Sequence, residues 1–114
     1  MTNPKRGEMN LEIGQTVFQV KITMDTIMRM ETAIGKGLLK LATDLQDGNI
    51  TTLQMISVLT PVLRSTGQDL REKDVQGIIW DAGFAEGLRA VAEIIAFVLG
   101  GNDDAGNPQQ AAND

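Results

Sequence analysis

The sequence contains no cysteine and no histidine among its 114 residues. Without cysteine, no disulfide forms and no thiolate is offered to a metal; the absence also fits a reducing compartment. Without histidine, the chain lacks the commonest general base near neutral pH and the commonest metal ligand. Aromatic residues make up 4% of the chain, namely Phe18, Phe84, Phe97 and Trp80, so aliphatic side chains and the six methionines have to fill the core. One tryptophan is little from which to build a sugar-binding cleft, and no carboxylate pair lies in an aromatic-rich segment. Neither catalysis nor a cofactor is expected.

Long apolar runs are missing too. The longest, "AVAEIIAFVLGG", is broken by Glu93 and is too short to span a bilayer. The opening "MTNPKRGEM" has two basic residues but no apolar run behind them, so it is not a secretory signal. A soluble protein without a membrane role is expected. Net charge is −5, and Asp103, Asp104 and Asp114 put three of the fifteen acids in the last stretch without a base. The body before it holds twelve acids against ten bases, a poor electrostatic match for phosphate backbones, which argues against nucleic-acid partners and a nucleic-acid-binding regulator.

What is present reads as one domain of ordinary globular composition, 42% hydrophobic and 22% charged. Met9, Leu11 and Ile13 alternate with polar residues, and so do Phe18, Val20 and Ile22, the period-two signature of half-buried strands. Gly14-Gln15 between them suits a type II′ turn. Thr23 is placed to cap a helix ending at Ile34, with Gly35 as its left-handed exit. A second helix is expected over about Leu38 to Gln46, closed by Gly48. A third, capped by Thr51, buries Leu53, Ile56, Leu59 and Leu63 at helical spacing and is kinked by Pro61. Asp69 and Glu72 form a capping-box pattern for a fourth helix through about Ala82, and a fifth runs from Phe84 to Leu99. The expected fold is therefore α+β: an N-terminal β-hairpin followed by about five short helices. It occupies residues 7–100, after a flexible stretch at 1–6 and before a disordered acidic tail at 101–114.

"GKG" at residues 35–37 lacks the spacing of a phosphate loop and follows a helix rather than a strand, so it reads as a helix exit and re-entry. Asp44 and Asp47 do not fit calcium-loop spacing and read as a solvated helix end. Four residues invite a partner. Glu31 falls on the apolar face of the first helix between Met24, Ile27 and Ile34. It sits at the rim, pairs with a cation such as Lys36 or Arg64, or meets another protein. Met24, Met28 and Met30 crowd the same helix; methionine fills core gaps and also serves adaptable surfaces, and Met28 lies nearest the edge of the apolar face. On the last helix the main apolar face is expected at Phe84, Leu88, Val91, Ile95 and Leu99. Ile94 flanks it, while Phe97 shares the polar stripe of Glu86, Arg89 and Glu93. Such a helix end is either deeply buried or covered by another chain.

Taken in order, these segments resemble the small tail proteins of gene transfer agents and related siphophages. The resemblance opens at "RGEM" and passes through the hairpin into "METAIG". It continues in "LLKLATDLQDGNITTLQMISVLTPVLRSTG" and closes with "DAGFAEGLRAVAEIIAFVLGG". It covers roughly residues 6 to 101; Pro61 departs from the plain helix former expected there. The resemblance implies a role in tail assembly rather than catalysis. Members carry a tail-tube label, yet their genes sit between those of the major tail protein and the tape-measure protein, the place of tail assembly chaperones. It therefore implies tape-measure and major tail proteins as partners, in the cytoplasm of a bacterial host, with self-association left open. The alternative is a structural tail-tube or tail-completion subunit of the finished particle. A tube subunit needs enough strands to close a ring-shaped barrel, and this chain offers one hairpin.

Overall fold

The structure is a computed structural model that describes residues 7–100; the expected flexible start and acidic tail lie outside the described residues. Two strands, β1 (Glu8–Ile13) and β2 (Thr16–Lys21), pair antiparallel with Leu11 opposite Phe18 and Ile13 opposite Thr16. This register leaves a two-residue loop in which Gly14 takes φ 63°, a conformation that glycine adopts without steric cost. Leu11, Ile13, Phe18 and Val20 are buried, while Glu8, Asn10, Glu12, Gln19 and Lys21 line the opposite, polar face. Gly7 precedes the hairpin at φ 87°, and its carbonyl accepts the Ile22 N–H at 2.8 Å. A Cβ there would lie 2.4 Å from the Ile22 carbonyl oxygen, so the glycine of "RGEM" is required by the closure of the hairpin's open end.

Five helices follow: α1 (Met24–Ile34), α2 (Leu38–Gln46), α3 (Thr52–Arg64), α4 (Glu72–Ala82) and α5 (Phe84–Leu99). The starts of α1 and α3 are fixed locally. Thr23 and Thr26 exchange reciprocal capping bonds, as do Thr51 and Gln54. Gly35 and Gly48 close α1 and α2 with positive φ, as their sequence positions suggest.

α3 is the central element and packs against α1, α4, α5 and β2. Met55, Val58, Leu59, Val62 and Leu63 are fully or almost fully buried, and Ile56 nearly so. One expectation about it changes. Leu53 is 72% exposed rather than buried, because it lies in the first turn beyond the reach of the covering elements. α3 continues through Pro61 to Arg64, although the missing N–H leaves the Ser57 carbonyl without its helical bond.

α4 begins later than the Asp69–Glu72 pattern suggests. Its cap is Arg71, whose N–H is accepted by the Asp74 carboxylate at 2.9 Å, while Asp69 faces Arg64 at 3.9 Å. Leu70 packs against the core from the segment before the helix, which delays the first turn. α5 is also rotated from its expected face: Gly87, Ala90, Val91, Ile94 and Ile95 are buried, whereas Phe84 and Leu99 are about half exposed. The cause is close approach. A Cβ on Gly87 would sit 2.4 Å from Met55 Sδ and 3.2 Å from Ile79, so α5 meets α3 and α4 through its small residues.

Two polar clusters hold these pieces in place. The Glu86 carboxylate accepts the Gly14 N–H at 3.0 Å and pairs with Arg89 at 2.9 Å; Arg89 also donates to the Glu12 carbonyl and pairs with Glu93. This ties the hairpin turn to α5. In the second cluster, buried Asp44 pairs with Lys36 and with Lys40, the latter at 3.3 Å, locking α2 to the linker that precedes it. Lys36 beside Asp44 holds that carboxyl below its ordinary pKa; Arg89, then the Gly14 N–H, do the same to Glu86. A carboxyl whose pKa is depressed by folding stabilises the native state above its unfolded value, near 4, and that contribution is lost as pH falls through the folded value. Urea unfolding at a series of pH values should therefore show wild-type stability declining below about pH 5. Asp44→Asn should be less stable at pH 7 but decline less steeply in acid; an acid limb unchanged by the substitution would contradict the Asp44 assignment.

Candidate protein-binding groove

The buried face of α4 is set by Val75 and Ile79, with Ile78 and Ala82 half-buried beside them. At 100° per residue, Trp80 falls on the other side with Gln76 and Lys73, and it is 87% exposed. Next to it stand Leu53 from the first turn of α3 and Phe84 from the first residue of α5. Between them lies a groove of about 660 Å³ floored by Ile56 and Ile79, with Thr52, Glu72 and Gln76 as its polar rim. Three large apolar side chains from three helices thus converge on solvent around a preformed depression. Scattered exposed apolar residues need no explanation, but a contiguous set of this kind marks an interaction surface. Tryptophan at the centre of such a set is the residue type most often found to dominate binding energy.

The groove is lined mainly by apolar side chains. Its ionisable residue is Glu72, and no group of three or more His, Cys, Asp or Glu side chains among the described residues is placed to hold a metal. The shifted groups Arg29, Asp44, Glu86 and Arg89 owe their shifts to ion-pair partners, and none of them lines the groove. Its apolar lining can accept an apolar ridge such as that of an amphipathic helix.

The four residues proposed from sequence as partner contacts lie elsewhere and are not brought together. The Glu31 carboxylate accepts the Leu38 N–H at 2.8 Å, so it satisfies an orphan donor at the start of α2 rather than pairing with Lys36 or Arg64. Met28 is 61% exposed, and Met24 still more so, while Met30 fills the core. Ile94 has 0% exposure, which corrects its reading as a surface contact: the rotation of α5 turns it inward. Phe97 is half-buried and packs against the core. Trp80 does have a sequence signal, being a lone bulky aromatic on the polar side of an otherwise well-patterned helix. The groove as a whole had no sequence signal, because Leu53, Trp80 and Phe84 meet only through tertiary packing.

Compared with known proteins, residues 6–101 match the model of a family described as phage tail tube protein, GTA-gp10. No curated protein and no solved structure matches the chain.

The Glu31 bond gives a test of that residue. As a helix cap it should matter to the isolated protein: Glu31→Ala should lower unfolding free energy by about 0.5–2 kcal/mol in urea titration. Unchanged stability would return Glu31 to the surface-contact reading.

Proposed function

The chain belongs to the phage tail tube protein, GTA-gp10, family, and is thereby a tail protein of a phage or gene transfer agent; from that premise we propose that it is a non-catalytic chaperone of tail assembly. In this reading it binds the tape-measure protein in the host cytoplasm and shields its helical, apolar segments until tube subunits assemble around them. The observation that carries the proposal is the groove, with Trp80, Leu53 and Phe84 exposed around an apolar floor. A ridge of apolar residues at helical spacing on a client would fill it. The exposed pair Met24 and Met28 is an adaptable second surface, and Phe97 and Glu31 stay peripheral to it.

The second reading, a structural tube subunit, is favoured by the family's description. Against it stands the amount of sheet. Closing a ring of β-structure requires hydrogen-bonded strands all the way round, and the described residues supply two strands of six residues each. Oligomerisation through the hairpin edges would be needed to extend them.

The test is co-purification and titration with the tape-measure protein encoded alongside this chain. The double variant Trp80→Ala, Phe84→Ser removes two exposed side chains and should leave the circular dichroism spectrum unchanged. Its affinity for the tape-measure protein should fall by about 30-fold or more, the scale of a lost hot spot. Full-strength binding by the folded variant would overturn the groove as the client site.

A further inference from the structure

Glu72 stands between two depressions rather than at the end of one. On its far side from the apolar groove lies a basin of about 580 Å³, lined among others by Arg29, Ser57, Pro61, Arg64 and Arg71. Thr52, Leu53 and Ile56 of α3 line the groove, and Ser57, Thr60, Pro61 and Arg64 line the basin, so the two follow each other along one side of a single helix as a trough with two halves. At 1.5 Å per residue the trough follows α3 for roughly 20 Å, with about two helical turns between the centres of its halves. One half is apolar. The other is built differently.

The basin collects three of the chain's five arginines in a protein whose net charge is −5. Arg29 is engaged by Asp25 at 2.7 Å. Arg64 reaches Asp69 only at 3.9 Å, with both side chains exposed, and such pairs contribute little. Arg71 makes no ion pair among the described residues. Beneath them is Ser57, 5% exposed. Of the other buried polar side chains, Thr26, Asp44 and Thr60 are hydrogen-bonded. The Ser57 hydroxyl makes no such bond among the described residues, although buried polar groups ordinarily do. The start of α4, with its positive dipole end, faces the same basin. The Arg71 guanidinium, the loosely held Arg64 guanidinium and an unused buried hydroxyl make a donor set for a carboxylate, whereas Asp25 and Glu72 at the rim disfavour a strongly acidic run.

Resting on the helix-binding reading above, we propose that the occupant is an amphipathic helix with a polarity. Its apolar ridge lies against Leu53, Trp80 and Phe84, and about two turns further on it carries an acidic side chain received by Arg64, Arg71 and Ser57. The arginines then select which helices bind and in which direction they lie, while the groove supplies the bulk of the contact.

Two fluorescein-labelled synthetic helices of about five turns test this, identical in their apolar ridge. One carries Glu at the position two turns beyond the ridge, the other Lys. Anisotropy titration against the full chain at low salt should show the Glu peptide binding about tenfold more tightly. The preference should shrink as salt is raised and vanish in Arg64→Ala, Arg71→Ala, whereas Trp80→Ala should weaken both peptides alike. Equal affinity for the two peptides, or a preference for Lys, would overturn the acidic specificity and leave the groove reading intact. Failure of both peptides to bind would remove the groove reading as well.

Discussion

The hairpin has one apolar face and, among the described residues, no third strand to share it with. A two-stranded sheet is marginal in water by itself, so Leu11, Ile13, Phe18 and Val20 need helices beneath them. Burying each such side chain is worth about 1.5–3 kcal/mol, so the four together outweigh any one of the helix caps. α3 and α5 provide that cover. The Glu86–Arg89 cluster then fixes where it lands, since one carboxylate holds the turn's Gly14 N–H and one guanidinium holds the Glu12 carbonyl. The remaining packing follows from this docking. α3 is enclosed on nearly every side, and α5 presses its small residues, Gly87 and Ala90, inward to reach it.

That solution leaves something uncovered. With α1 on one side of α3 and the hairpin on another, α4 and the start of α5 close over α3 only partly. Leu53, Trp80 and Phe84 stand around the gap. The lone tryptophan, Trp80, is 87% exposed there. Glu72 lines both the groove and the arginine basin.

Much of the fold was legible because its signals are local. Alternation gave the hairpin, Gly14 its turn, Thr23 and Thr51 the helix starts, and Gly35 and Gly48 the helix ends. Errors arose where tertiary contact overrode local pattern. Asp69 with Glu72 is a sound capping pattern, but Leu70 is drawn into the core and the box forms two residues later, at Arg71 and Asp74. The buried face of α5 was misjudged because large side chains suggest burial, whereas here small ones permit the closest approach. Ile94 moved inside for that reason. Glu31 seemed stranded on an apolar face because its partner is a backbone N–H seven residues away, which no side-chain pattern reveals. The groove was the least legible feature, since its walls come from three helices.

In the proposed reading, a helical domain with one short hairpin and an open apolar groove serves to hold a client during assembly. The central claim is that it works during assembly and leaves before the tail is complete. Quantitative mass spectrometry of purified tailed particles, beside the assembling lysate, addresses this most directly. The account predicts a protein abundant in the lysate and absent from particles, or present only in traces. Many copies per particle, in fixed ratio to the other tail proteins, would make it a structural subunit and contradict the account.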